Sequence, residues 1–254
     1  MNIPLAGLRI AVTRPRDQSM DITEQIRMAG GEPLSYPLID IALRHQAPDF
    51  LAAIDVMPDI YVFTSVNGVH AYIEGCRVIQ KALLPHQLAY CVGKATANAA
   101  MQAGFAVAPT PQVFAAEHLV TLMGTPSDGR MRVLFVRGNL VEPTFSIQLA
   151  ERGYQVMEAV GYETLTTPHA RRLIDDIGQK NVDVITFYSG SAVKALLEIA
   201  PEGWLKDCIL AAVGPKTGQA IQAYGYEPQV VAETASTSSL MEALVHFVTN
   251  NTGK

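Results

Sequence analysis

The sequence predicts an α/β protein made of two similar lobes, each a parallel sheet with helices on both faces. The first observation is a repeat: DIYVFTSVNGVHA at 59–71 returns as DVITFYSGSAVKA at 183–195, and CVGKAT at 91–96 returns as AVGPKT at 212–217. The second is an alternation of short apolar runs with helical segments, which is typical of such sheets. The third is composition, since 49% of the residues are hydrophobic and 17% are charged, enough for two cores. Two lobes imply a cleft, where we expect any activity.

Each half opens with a strand and a helix. Residues 8–13 form an apolar run with the length of a buried strand. The next helix is predicted over 17–30, with Asp17 or Ser19 as its cap and Gly30 at its end. The corresponding later unit is a strand over 132–137 and a helix to about Arg152.

The remaining elements follow in the same order in both halves. Apolar runs predict strands at 60–64, 88–92, 107, 184–188, 209–213 and 230–231. Helices are predicted after the strands at 60–64 and 184–188, and over 94–103, 116–123, 216–224 and 238–248. Glycines end two of these helices, and a stretch rich in Ser and Thr provides caps for the last one.

Two segments depart from the alternation, Pro33–Ile41 and Gln155–Leu165. Each follows the first strand and helix of its half and is extended in character. Pro37 lacks an N–H group and disfavours a central position in a sheet. We therefore expect both segments to cross between the lobes.

Small and polar residues stand where the predicted strands end, which is where ligands collect in parallel sheets. These residues are Arg14, Ser65, Gly93, Arg137, Ser189 and Gly214. A serine at such a turn caps the next helix, and the N–H groups left over attract carboxylates or phosphates. The two glycine turns are expected to offer the same geometry as the serine turns. Capping alone would explain each serine, but four such turns together favour an anion-binding cleft.

Further candidates lie in or beside the first turns of the helices. They are Asn67, Lys94, Thr96, Ser191, Lys216 and Thr217. Arg14 and Arg137 either form surface ion pairs or bind a carboxylate through their forked donors. Their shared place at strand ends favours carboxylate binding.

Several classes of protein are disfavoured by the sequence. The net charge of −5 argues against a general nucleic-acid surface, and three scattered cysteines form neither a metal knuckle nor a redox pair. Glycine-rich nucleotide loops, the serine-hydrolase elbow and the HExxH metal motif are all missing. We expect no metal, no signal peptide, no membrane span and a cytoplasmic location.

The motifs in order resemble the uroporphyrinogen-III synthase family over essentially the whole chain. They are TRP at 13–15, VFTS at 62–65, NGV at 67–69, CVG at 91–93, TFYS at 186–189, AVGPKT at 212–217 and AETASTS at 232–238. The resemblance implies cofactor-free cyclisation of hydroxymethylbilane with inversion of ring D and loss of water. Tyr162 matches the linker tyrosine of the family, and the resemblance implies that it acts as the general acid.

The resemblance also implies an arrangement that a simple duplication would misassign. It places 1–35 with 168–254 in one flavodoxin-like domain and 42–157 in the other, joined by an antiparallel two-stranded ladder of 36–41 and 158–167. A monomer is expected that binds hydroxymethylbilane, with transient contact to the preceding pathway enzyme. The alternatives are a two-lobed binding protein for a small anion and a sugar-nucleotide transferase, although the sequence has no clear nucleotide site.

Overall fold

A computed structural model describes residues 3–109, 116–126 and 130–251, without the side chains of 116–118. The strands are β1 Arg9–Val12, β2 Glu32–Ser35, β3 Ile39–Leu43, β4 Ile60–Phe63, β5 Leu88–Cys91, β6 Ala106–Val107, β7 Arg132–Gly138, β8 Gln155–Thr166, β9 Val184–Phe187, β10 Ile209–Ala212 and β11 Val230–Val231. The α-helices are α1 Met20–Met28, α2 Pro48–Ile54, α3 Val66–Val78, α4 Lys94–Gln102, α5 Ala116–Met123, α6 Thr144–Glu151, α7 His169–Gly178, α8 Gly190–Leu197, α9 Pro215–Ala223 and α10 Thr237–Asn251. No helix among these residues is both long and apolar enough to cross a bilayer.

The chain divides into two compact units. Unit 1 comprises Met1–Asp40 and Leu165–Lys254, and unit 2 comprises Ile41–Thr164. Unit 1 holds a sheet with the strand order β11-β10-β9-β1-β2, in which every neighbouring pair is parallel. Unit 2 holds a sheet with the order β3-β8-β7-β4-β5-β6, in which the pairs from β8 to β6 are parallel.

Strand residues in both units alternate between two cores, because successive side chains point to opposite faces of a sheet. In unit 1, Ile10 packs with α1 and α10 while Ala11 packs with α7 and α8. In unit 2, Tyr61 packs with α3 and α4 while Val62 packs with α5 and α6. Strands that are covered by helices on both faces have continuous apolar sequences, which is why the apolar runs predicted them. The predicted two-lobed α/β fold is confirmed.

The two crossing segments also contain strands of the two sheets, which their sequence pattern did not predict. β2 pairs with β1 at the edge of the first sheet, where Pro33 is tolerated. β8 pairs with β7, and β3 is its neighbour on the other side. Thr167 N–H donates to the Leu38 carbonyl, and Arg44 N–H to the Gly161 carbonyl. From the first hydrogen bond to the second, the residue number rises from 38 to 44 on one segment and falls from 167 to 161 on the other. The two crossing segments therefore run antiparallel.

Local signals predicted the starts of the expected helices with one exception. The first helix begins at Met20 rather than Asp17, because Arg16–Gln18 form a separate 3-10 turn. Ser236 caps α10 by accepting the N–H of Ser239 at 3.2 Å, as the Ser/Thr-rich start predicts. The helices α2 and α7 were not predicted. The latter has a clear amphipathic pattern, with buried Leu173, Ile174 and Ile177.

Candidate active site at the strand ends

In unit 2, Ser65 joins the start of a helix to Tyr162. Ser65 is the N-cap of α3, and its Oγ accepts the N–H of Gly68 at 3.1 Å. The same hydroxyl donates to the phenol oxygen of Tyr162 at 2.9 Å. Capping is therefore only one of its two contacts, and a predicted binding residue lies beside the predicted acid.

A β-bulge directs the side chain of Tyr162. Arg137 pairs with Val160, but the next residue of β7, Gly138, pairs with Tyr162, so that Gly161 is the additional residue on β8. Such a bulge shifts the side chains that follow it by one position and moves them to the other face of the strand. A regular ladder would have placed Gly161 opposite Gly138 instead.

Glycine at 138 makes room for the phenol ring. A Cβ atom there would stand 2.6 Å from Cε2, 2.7 Å from Cζ and 2.9 Å from the hydroxyl oxygen of Tyr162. The ring is otherwise well enclosed, with 9% of Tyr162 exposed. The backbone N–H of Asn139 also donates to the Tyr162 carbonyl, at 3.1 Å. Tyr162 is thus fixed by β7, by the bulge and by the first turn of α3.

The other predicted residues of unit 2 stand at the starts of α3 and α4. Asn67 is half-buried in the first turn of α3, and Lys94 is exposed at the start of α4. Gly93 is the N-cap of α4 with a φ of 84°, a left-handed value that favours glycine. Thr96 is buried in the first turn. Both turns have the small residues and the helix N-termini that suit an anion.

Arg137 lies within β7, so its predicted place beyond the strand end is wrong. Its Nε donates to Glu158 at 2.6 Å, and one terminal nitrogen donates to the carbonyls of Gly138 and Val141 at 3.0 and 3.2 Å. The other oxygen of Glu158 accepts a hydrogen bond from Ser146. The strand extends one residue past Arg137 because β8 continues to pair with it. These contacts favour a structural role for Arg137 in unit 2.

In unit 1, Ser189 repeats the cap of Ser65 but has a different second contact. Its Oγ accepts the N–H of Ala192 at 3.2 Å and lies 2.9 Å from the Oγ of Ser191. Its carbonyl accepts the N–H of Val193. The first N–H groups of a helix lack partners within it, and among the described residues none accepts those of Gly190 and Ser191. This helix start can therefore bind a carboxylate.

Arg14 follows β1 and keeps most of its donors available. Its contacts to Gln18 and Thr237 are long, at 3.4 Å each, and its guanidinium lies 5.1 Å from the centre of the Tyr188 ring. Burial raises the pKa of Tyr188 to about 12, so this phenol stays neutral beside the cation. An arginine held by an aromatic face is well placed to bind a carboxylate.

Both glycine turns stand at a helix start, as the serine turns do, but their backbone conformations differ. Gly214, the N-cap of α9, has a φ of 177°, which any residue adopts, whereas Gly93 is left-handed. An added Cβ at Gly214 would lie 3.4 Å from the Cβ of Ala235, close to ordinary contact, so neither backbone conformation nor space requires glycine there. Beyond it, Lys216 is exposed and Thr217 is buried in α9.

The described strand ends therefore supply N–H groups, hydroxyls and one available arginine, which suit an anionic ligand, together with one oriented phenol. No group of three or more potential metal ligands occurs within the described ranges. Sequence reasoning missed Gly138 and Glu158, which fix Tyr162 and Arg137. The VRGN motif at the end of β7 offered a signal for Gly138, because a glycine at a strand end indicates close approach.

Comparisons with known proteins give consistent results. A sequence model of the family described as uroporphyrinogen-III synthase HemD matches residues 20–242. A porphyrin biosynthesis protein HemD from Ruminiclostridium josui is 24% identical over 97% of this chain, which spans 50% of that relative. A uroporphyrinogen-III synthase from Chlorobaculum parvum is 25% identical over 92% of this chain and 97% of the relative.

Solved structures agree in fold. A mutant uroporphyrinogen III synthase from Thermus thermophilus has a TM-score of 0.76 at 21% identity, over 96% of this chain and 100% of that one. The synthetase from Helicobacter pylori has a TM-score of 0.59 at 20% identity, over 94% and 98%. With a family match across most of its length, this chain belongs to the uroporphyrinogen-III synthase family.

Proposed function

We propose that this chain is a cyclising lyase that converts hydroxymethylbilane to uroporphyrinogen III, with inversion of ring D and loss of water. Membership of the family supports this reaction. The observation that carries the proposal is the phenol of Tyr162, which is buried, fixed in place and bound to a helix-capping serine. A phenol is protonated at neutral pH and can donate its proton.

Loss of the substrate's hydroxyl group needs one proton and little else. The phenol of Tyr162 donates its proton to the hydroxyl oxygen, the carbon–oxygen bond breaks, and water leaves. The electron-rich pyrrole stabilises the cation that remains, so a nucleophilic side chain is not required. A pyrrole carbon of ring D attacks this cation, a spiro intermediate forms and rearranges, and the proton lost on restoring aromaticity balances the one donated.

Control of conformation is the larger task, because unassisted closure gives the unrearranged isomer. The substrate carries eight carboxylates, and the strand ends of each unit offer groups that bind them. Backbone N–H groups of Gly190 and Ser191 and the side chain of Arg14 serve this purpose in unit 1. The starts of α3 and α4 serve it in unit 2. Holding one reactive conformer lowers the entropic part of the barrier.

Three further points belong to the proposal. The division into two compact units supports two domains with limits near those that the resemblance implies. The protein works in the cytoplasm, which fits its free, buried thiols at Cys76, Cys91 and Cys208. The preceding pathway enzyme hands the substrate over in a transient contact, because free hydroxymethylbilane closes by itself.

The test is turnover of enzymatically generated hydroxymethylbilane, with separation of isomers I and III. We expect isomer III from the wild type, and about 100-fold slower turnover from Tyr162→Phe with the same isomer. Tyr154→Phe is the matched control, because Tyr154 is also buried in unit 2 and its hydroxyl donates to a backbone carbonyl, that of Met123. Formation of isomer I alone by the wild type would reject the proposed function, as expected for a binding protein. Wild-type rates in Tyr162→Phe would reject the role of the phenol.

A further inference from the structure

The hydroxyl of Ser65 is constrained on both sides. Its oxygen accepts the N–H of Gly68, which belongs to the first turn of α3, and its single proton goes to the phenol oxygen of Tyr162. Because a hydroxyl has one proton and two acceptor sites, this arrangement fixes the direction of the Ser65 O–H bond. The start of α3 thereby determines where the donated hydrogen bond points.

The phenol oxygen of Tyr162 is consequently an acceptor towards Ser65. Its own proton must point in another direction, and none of the described residues accepts it. We infer that Ser65 is a positioning residue, which turns the Tyr162 proton outward so that it can be donated to the substrate. The inference rests on the proposed function and assigns to Ser65 a task other than binding a carboxylate.

The repeat supplies an internal comparison. Ser189 caps α8 with the same extended backbone and the same contact to an N–H group three residues on. Its second partner is the hydroxyl of Ser191 rather than a tyrosine. The cap by itself therefore needs no tyrosine, and the contact to Tyr162 is specific to the serine of unit 2. This difference separates positioning from capping in an experiment.

A double-mutant cycle between Ser65→Ala and Tyr162→Phe tests the inference. Ser65→Ala should lower kcat about 10-fold with little change in KM, since loss of one hydrogen bond leaves the phenol proton free to turn inward. In the Tyr162→Phe background the same change should cost no further activity, because residues that act through one another are not additive. Ser65→Thr, which keeps the hydroxyl, should recover most of the lost kcat.

Ser189→Ala is the matched comparison, because it removes an equivalent cap. The loss of activity in Ser189→Ala should multiply with the loss in Tyr162→Phe. The helix start at Ser189 serves substrate binding, whereas Tyr162 donates the proton. If Ser65→Ala fails to fold, Ser65→Gly replaces it, as glycine is a tolerated cap. Losses that multiply for Ser65 as well, or that appear in KM alone, would overturn the positioning role while leaving the function intact. Failure of the wild type to make isomer III would overturn both.

Discussion

Replacing Gly138 by alanine tests the packing that holds Tyr162. A Cβ atom at this position would stand 2.6 Å from Cε2 and 2.7 Å from Cζ of the Tyr162 ring. The backbone itself accepts alanine, because Gly138 is not among the glycines with a positive φ. The methyl group therefore competes directly with the phenol for space.

The cost follows from these distances. Ordinary contact between carbon atoms is about 3.5–4 Å, so the ring has to retreat by about 1 Å. A retreat of that size stretches the hydrogen bond between Ser65 and Tyr162 from 2.9 Å to beyond about 3.5 Å, where it is lost. Overpacking costs about 1–3 kcal/mol and a lost hydrogen bond about 1 kcal/mol. We expect the free energy of unfolding to fall by about 2–4 kcal/mol, and kcat to fall as well.

Guanidinium denaturation followed by circular dichroism measures the change in stability. Gly190→Ala is the control, because the nearest atom to a Cβ there is 3.6 Å away and helical glycine gains from alanine. In the background of Tyr162→Ala, which removes the ring, Gly138→Ala should cost less than about 0.5 kcal/mol. Wild-type stability of Gly138→Ala, or an undiminished cost in that background, would refute the reasoning.

Three further predictions concern charged residues. Arg14→Ala should raise KM about 10-fold and leave thermal stability almost unchanged, since its contacts within the protein are long; an unaltered KM would argue against carboxylate binding. Arg137→Ala should lower the free energy of unfolding by about 1–3 kcal/mol, because it leaves Glu158 without its cation, whereas a raised KM at wild-type stability would restore the predicted binding role. Hydrogen bonds from Arg9 lower the pKa of Asp183, so the stability that they provide is present above about pH 4 and is lost as pH falls through the lowered pKa. The difference in denaturation midpoint between wild type and Asp183→Asn should shrink below about pH 4, and a constant difference would contradict the assignment.

Strands and helix starts could be predicted because their signals are local. The apolar runs at 60–64 and 184–188 became the central strands β4 and β9, and Ser65 and Ser189 became the caps of the helices that follow. The order of the strands within each sheet could not be predicted in the same way, because it depends on pairing between distant segments. The segment from Gln155 read as a crossing, yet its first part pairs with β7, because the partner of a strand is chosen by the whole sheet.

The two predicted arginines show where residue patterns stop being sufficient. Both follow or end an apolar run, and their sequence contexts are similar. Only the fold places Glu158 on the neighbouring strand, where it pairs with Arg137 at 2.6 Å, and leaves Arg14 against the ring of Tyr188. The partner of a residue on the neighbouring strand depends on the register of the two strands. The sequence around Arg14 or Arg137 does not indicate that register.

The sequence by itself determined the two-lobed α/β fold, the helix starts suited to anions and the tyrosine expected to act as an acid, since apolar periodicity, capping and family motifs are carried by short segments. Tertiary structure alone decided that Tyr162 lies over Gly138 and accepts the Ser65 proton. The physical reason is the bulge at Gly161, which moves one side chain to a different face of the strand. That change arises only when β7 and β8 are paired.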